Sequence, residues 1–256
     1  MPVGAAGGSL RSGGVERAPV QAREVYLRQL LAGRDFAVGD AFAAQMLNFA
    51  YALGDRRTGE ALLVDPAWAA DELVGIVEAD GMRVVGVLAT HHHADHVGGE
   101  LAGHRIGGVA QLMQRVDVPV HVNRWDLDAV RSGTGLGSEL VGHDGGDTVE
   151  VGRMSVRLLH TPGHTRGSQC FLFEGMVVSG DTLFLDGCGR TDLPDSDPAD
   201  MWDSLQRLAA LPDGTAVLPG HRYSAPSCAT LEAVRRDNVV YRPTSREDWL
   251  AAFSAG

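Results

Sequence analysis

The chain has 256 residues, enough to bury a core without disulfides or a structural metal, and its 22 Lys and Arg stand against 33 Asp and Glu. The resulting formal charge of −11 argues against nucleic acid or an anionic membrane as the principal partner, but says little about a small substrate. No apolar run approaches the ~20 residues of a membrane helix, and the N-terminal MPVGAAGGSLRSGG lacks the apolar stretch of a signal peptide.

Residues 1–22 are rich in Gly, Ala, Ser and Arg without periodicity and are expected to form a flexible tail ahead of one domain, 23–256, with order beginning near Glu24. Residues 46–53 and 60–64 read as two strands around the turn Gly54-Asp55-Arg56-Arg57. Asp65-Pro66 stops the second. Residues 68–81 show helical spacing, with Leu73, Ile76 and Val77 on one face. Residues 84–88 are a short apolar run of the kind buried on both faces of a sheet. They lead directly into Thr90-His91-His92-His93-Ala94-Asp95-His96. A strand at 118–122 and a helix at 125–131 follow. Hairpins are expected at 148–160, around Gly152-Arg153, and at 168–179, around Glu174-Gly175. Residues 200–211 form an amphipathic helix, with Met201, Leu205, Leu208 and Ala209 on one face. A short strand at 216–218 precedes Pro219-Gly220-His221, and helices are expected at 229–238 and 246–253. Strands alternating with helices and hairpins indicate an α/β protein with mixed sheets.

Candidate ligands recur where strands end. The cluster His91-x-His93-x-Asp95-His96 places four in six residues, and imidazole with carboxylate suits zinc, iron or manganese. His91 and His93, two apart in an extended loop, project to the same side, whereas the adjacent Asp95 and His96 diverge. One hexapeptide can thus serve two neighbouring metals. Thr161-Pro162-Gly163-His164, Ser179-Gly180-Asp181-Thr182 and Leu218-Pro219-Gly220-His221 each set a further ligand beside a glycine, where the backbone can approach closely. His92, between two ligands, should point away. His104, His121 and His143 carry no motif, and His160 is expected to pack beside the His164 loop. Cys170, in an apolar strand, reads as core, and Cys188 as packing near the pocket. The three cysteines, Cys228 included, form no disulfide framework, which points to a reducing, cytoplasmic setting.

The motifs THHHADHVGG, TPGHTRGS, SGDTLF and LPGHRY, in this order, resemble those of the metallo-β-lactamase superfamily from about Met46 to Tyr223. The resemblance implies an αββα sandwich of two mixed β-sheets flanked by helices, with metals at one edge. It implies that His91, His93 and His164 hold one ion, that Asp95, His96 and His221 hold a second, and that Asp181 bridges both. Asp65 matches a buried aspartate that steadies the histidine loop.

Two metals roughly 3.5–4 Å apart can share a hydroxide near neutral pH, and Asp95 could orient that nucleophile. The run Gly187-Cys188-Gly189-Arg190-Thr191-Asp192-Leu193-Pro194 is similar to the glyoxalase II (hydroxyacylglutathione hydrolase) branch, implying hydrolysis of a thioester of glutathione or another acyl-thiol, with two divalent ions, zinc by preference. Arg190 and Tyr223 match substrate-contacting positions. Two departures weaken glutathione as the carrier: Asp192 stands where glyoxalase II has an aromatic residue, and residues 224–256 are too few for its C-terminal helical domain. The same run is also similar to persulfide dioxygenases, implying as an alternative one iron held by His91, His164 and Asp181. A lactonase or other metallo-hydrolase is a further alternative.

Overall fold

A computed structural model describes residues 24–253; the expected tail at 1–22 lies outside the described residues. In chain order the first half comprises β1 (Val25–Leu31), α1 (Ala41–Met46), β2 (Phe49–Asp55), β3 (Glu60–Val64), α2 (Ala70–Ala79), β4 (Arg83–Leu88), α3 (Ala94–Val97), β5 (Gly99–Leu101), β6 (His104–Ile106), α4 (Val109–Leu112), β7 (Val120–Asn123), α5 (Leu127–Thr134) and β8 (Leu140–His143). The second half comprises β9 (Thr148–Val151), β10 (Met154–His160), β11 (Gln169–Phe173), β12 (Met176–Gly180), α6 (Pro198–Ala209), β13 (Ala216–Pro219), β14 (Ala229–Thr230), α7 (Leu231–Asp237) and α8 (Arg246–Phe253).

Period-2 alternation in strands that are apolar on both faces creates the layers. Along β2 and β3, Tyr51, Leu53, Leu62 and Val64 face the second sheet and meet Val156, Leu158, Phe171 and Val178. Their neighbours Ala50, Ala52, Ala61 and Leu63 face the other way, onto a core shared with Leu73, Val77 and Leu112 of the first helical layer. The second sheet repeats the device: Cys170 and Val177 turn outward onto Met201, Leu205, Val234 and Trp249. Two six-stranded mixed sheets, β1-β2-β3-β4-β7-β8 and β14-β13-β12-β11-β10-β9, are thus sandwiched between helices, as the motifs implied.

The strands read at 60–64, 148–151 and 154–160 and the helix at 246–253 are found at those bounds. The other expected elements are found with bounds shifted by one to three residues, and two of these shifts have identifiable reasons. The strand expected from residue 46 begins at Phe49, because Asp40 caps a preceding helix by accepting from the amides of Phe42 and Ala43. Leu47, at φ 59°, ends that helix in the left-handed conformation and turns Asn48 inward. The helix expected from residue 229 begins at Leu231, because Ala229 and Thr230 first pair with Val217 and Ala216. The parallel β3–β4 and β12–β13 pairs end at the same edge of the sandwich, and the chain turns there into the ligand-bearing loops.

Candidate metal centre

The histidine loop follows β4 and is held from behind by Asp65. This carboxylate accepts from the Thr90 amide at 2.8 Å and the Thr90 hydroxyl at 2.6 Å, and its Oδ2 lies 2.9 Å from His96 Nδ1. The loop then closes into the single turn α3, whose first two intrahelical acceptor bonds go to the His93 carbonyl from the amides of His96 and Val97. The turn sends Asp95 and His96 towards a different point from His91 and His93.

Two trios result. His93 Nδ1 lies 3.0 Å from His91 Nε2 and 3.0 Å from His164 Nε2. His96 Nε2 and His221 Nε2 are 3.2 Å apart, and Asp95 Oδ2 is 3.6 Å from the former and 3.5 Å from the latter. Asp181, at the end of β12, stands between them. Its Oδ1 is 3.4 Å from His96 Nε2, and its Oδ2 is 3.3 Å from His221 Nε2 and 3.6 Å from His164 Nε2. Gly220 permits this approach: a Cβ there would sit 2.3 Å from Asp181 Oδ1. All seven predicted ligands therefore converge, on the loops the motifs named.

The outward nitrogens decide what the inward ones offer. His164 Nδ1 donates to the Arg190 carbonyl at 2.9 Å, His221 Nδ1 to the Met46 carbonyl at 2.8 Å, and His96 Nδ1 to Asp65. The Thr90 hydroxyl gives its proton to Asp65, so it can only accept from His91 Nδ1, 3.0 Å away. Each of these four rings thereby turns a lone pair on Nε2 into the site, the form a metal binds.

Charge follows the same division. Burial and the proximity of His96, His93 and His164 hold His91 far below the usual imidazole range, and burial with His164 and His92 brings His93 down to about 4. Around the second trio burial is outweighed: Asp181, Asp95 and Asp65 favour a proton on His96, raising it to about 10 while no cation faces them, and a divalent ion would displace that proton and take the Nε2 lone pair. Asp181 is itself held down, against its burial, by His221 and His96. Asp181 Oδ1 is buried without a hydrogen-bond partner among the described residues. Converging imidazole lone pairs, two carboxylates and an orphaned buried carboxylate oxygen fit one or two divalent ions with nitrogen and oxygen preference.

The remaining predicted positions lie outside this cluster. Tyr223, 54% exposed, stacks on His221 with ring centroids 4.9 Å apart and planes at 9°, and meets the ring of Phe184 edge-on at 5.0 Å. The Arg190 guanidinium is exposed and engages Asp192 through two bonds of 2.8 and 2.7 Å. Cys188 packs against the second helical layer, where burial pushes its thiol up to about 12. His92 turns away from the trios to Asp126, with Nδ1 3.0 Å from Oδ2.

Two residues of the surrounding shell, Asp126 and Asn48, escaped sequence reasoning. Asp126, fully buried, accepts from the amides of His92 and Gly167 and from the Thr165 hydroxyl, clamping the histidine loop to the His164 loop. Gly167 leaves room for it, since a Cβ there would meet Asp126 Oδ1 at 2.3 Å. Asn48 places its amide nitrogen 3.0 Å from Asp95 Oδ2 and receives the Trp68 indole N–H on its own oxygen at 3.2 Å. The only local signal for Asn48 was an amide within the apolar run expected as a strand at 46–53.

The sequence profile described as metallo-beta-lactamase superfamily matches residues 47–221. A hydroxyacylglutathione hydrolase of Synechococcus sp. is 34% identical over 207 residues, covering 78% of this chain and 74% of that protein. The probable polyketide biosynthesis zinc-dependent hydrolase BaeB of Bacillus velezensis is 27% identical over 205 residues, covering 79% of this chain and 85% of that protein. The crystal structure of ETHE1 from Myxococcus xanthus superposes with a TM-score of 0.73 at 29% identity over 90% of each chain.

Proposed function

Because the chain belongs to the metallo-beta-lactamase superfamily, we propose that it is a metallo-hydrolase acting on a small-molecule thioester, an acyl-glutathione or another acyl-thiol. In this reading His91, His93 and His164 hold one divalent ion and Asp95, His96 and His221 a second. Asp181 reaches both. The observation that carries it is Asp181: a buried carboxylate within 3.6 Å of imidazole nitrogens from both trios, with Oδ1 left without a hydrogen-bond partner among the described residues. Bound there, two divalent ions would supply a nucleophilic hydroxide at neutral pH and a Lewis acid for the carbonyl oxygen.

The chain's own residues supply alignment and charge. Asp95 lies in the second trio with Oδ2 turned into the site, where it can orient the attacking nucleophile as well as bind. Tyr223, at the exposed rim, is raised to about 12 by burial, Asp181 and Asp95, and is a weak acid. A thiolate leaving group, with a thiol pKa of about 8.5, leaves without protonation, whereas an amide nitrogen does not. The similarity to hydroxyacylglutathione hydrolases supports the same substrate class. Zinc is supported by the likeness to a zinc-dependent hydrolase. One domain, 23–256, carries the site, with Arg190 and Tyr223 as substrate contacts. Three unpaired cysteines fit a reducing cytoplasm, and among the described residues no helix is long and apolar enough to cross a membrane.

A second reading, a mono-iron persulfide dioxygenase using His91, His164 and Asp181, is supported by the Gly187–Asp192 run and by the likeness to ETHE1. Metal analysis of protein purified without added metal, with parallel assays on S-acylglutathione and glutathione persulfide, separates the two. Two zinc ions and thioester cleavage support hydrolysis; one iron with oxygen uptake on the persulfide overturns it.

A further inference from the structure

The two trios differ in what else faces them. In the first, among the described residues, the inward atoms of His91, His93 and His164 are hydrogen-bonded only to one another. In the second, one N–H donor outside the ligand set reaches all three inward atoms. Asn48 Nδ2 lies 3.0 Å from Asp95 Oδ2, 3.3 Å from His221 Nε2 and 3.4 Å from His96 Nε2. Asn48 is buried, and its orientation is not free. An indole nitrogen can only donate, so the Trp68 N–H, 3.2 Å from Asn48 Oδ1, identifies that atom as the oxygen and turns the NH2 towards the trio. Trp68 is fixed in turn: its backbone is in the left-handed region at φ 72°, its amide donates to the Gly107 carbonyl at 2.7 Å, and Phe42 packs edge-on against its ring.

An amide NH2 and a cation compete for the same lone pairs. With the trio empty of metal, Asn48 Nδ2 donates to Asp95 Oδ2 and lies against the Nε2 atoms of His221 and His96 at 3.3 and 3.4 Å. When an ion takes those lone pairs, Asp95 Oδ2 can still accept one N–H through its remaining lone pair. The imidazole nitrogens have no second lone pair to give, so the other N–H loses its acceptors and faces positive charge in a buried setting. We propose that Asn48, locked by Trp68, is the residue that sets the two metal positions apart, holding the Asp95–His96–His221 position weaker and exchangeable while the His91–His93–His164 position stays filled. This rests on the two-ion reading of the site. It makes metal occupancy, one ion or two, a property of the Trp68–Asn48 pair as well as of the seven ligands.

The test is equilibrium dialysis of the full-length, cobalt-loaded protein against buffers of falling free Co2+, with bound metal and the visible absorption of Co2+ read at each step. Wild type should release its two ions at separate free-metal concentrations. Asn48→Asp, which replaces the facing donor with an acceptor, and Asn48→Ala, which removes it, should shift the weaker step roughly ten- to a hundred-fold towards tighter binding, the range of one hydrogen bond to a charged group. The tighter step should not move. Trp68→Phe leaves Asn48 in place but frees the amide to turn its oxygen inward, and should shift the weaker step in the same direction. A weaker step that is unchanged or loosened in the Asn48 variants, with the tighter step intact, overturns the role of Asn48 and leaves the metal site standing. Simultaneous release of both ions from wild type also overturns it. Wild type that holds no cobalt overturns the metal site itself.

Discussion

Thr90 is tied to Asp65 twice, its amide to Oδ1 at 2.8 Å and its hydroxyl to Oδ2 at 2.6 Å, and the second bond is what lets the same hydroxyl accept from His91 Nδ1. Through this contact one carboxylate orients a ligand of each trio, His91 by way of Thr90 and His96 directly. Asp65 itself sits in the left-handed region at φ 51°. Removing such an outer partner commonly lowers metal affinity or activity ten- to a hundred-fold, roughly. Asp65→Ala should therefore reduce kcat/KM for thioester hydrolysis by about that factor and loosen both ions, with metal retention under dialysis as the second readout. A variant with a lowered melting temperature but full metal content and full turnover would make Asp65 a fold residue alone.

His91→Ala and His164→Ala each take one ligand from the first trio, and His96→Ala and His221→Ala one from the second. If the enzyme is binuclear, all four should lower both metal content and activity. If a single iron does the chemistry, the last two should leave iron near one per chain. A fully metallated, fully active His91→Ala protein would refute the ligand assignment.

Arg190 and Asp192 answer each other at the surface, and the guanidinium is free to receive a substrate carboxylate only at the expense of that pair. Exposed pairs of this kind are weak, so an anion of good geometry can displace Asp192. Arg190→Ala should raise KM for an anionic thioester roughly ten-fold and spare kcat, with little effect on a neutral thioester. Asp192→Ala should lower KM for the anionic substrate. Equal losses on charged and neutral substrates, with reduced thermal stability, would show that the pair only secures the loop.

Away from the metals, His121 Nδ1 and His143 Nε2 lie 2.9 Å apart on β7 and β8, and burial together with His143 lowers His121 to about 4. A free imidazole titrates near 6.5, so between pH 6.5 and pH 4 the unfolded chain binds the proton that the folded chain refuses. Stability is fully present above pH 6.5 and falls as the pH drops towards 4, by about 2 kcal/mol between pH 7 and pH 5. His121→Asn should flatten that fall. Urea unfolding of both proteins at the two pH values checks it, and parallel curves would show that His121 is not responsible.

The seven candidate ligands could be picked out of the amino-acid sequence because each lies in a short motif whose chemistry is local: an imidazole or carboxylate in a dense cluster or beside a glycine, at the end of an apolar run. The sandwich was legible for a related reason. Alternation along residues 60–64 or 154–160 reports which face is buried without reference to any other segment. Asp65 was found by its motif, and its three partners, Thr90 N, Thr90 Oγ1 and His96 Nδ1, are those of a residue steadying the histidine loop.

Tertiary structure alone decided the residues that act across distance. Asn48 meets Asp95 at 47 residues' separation and His221 at 173, and Asp126 joins loops 34 and 41 residues away. Nothing near Asn48 or Asp126 marks them, since an amide before a strand or an aspartate before a helix is ordinary. Arg190 likewise kept its expected position in the chain, while the direction of its guanidinium depended on where Asp192 came to lie. Ligand chemistry is written into single residues and their neighbours; donor geometry around those ligands is set by the register of two sheets and the turns at their shared edge, which bring together atoms that no local spacing relates.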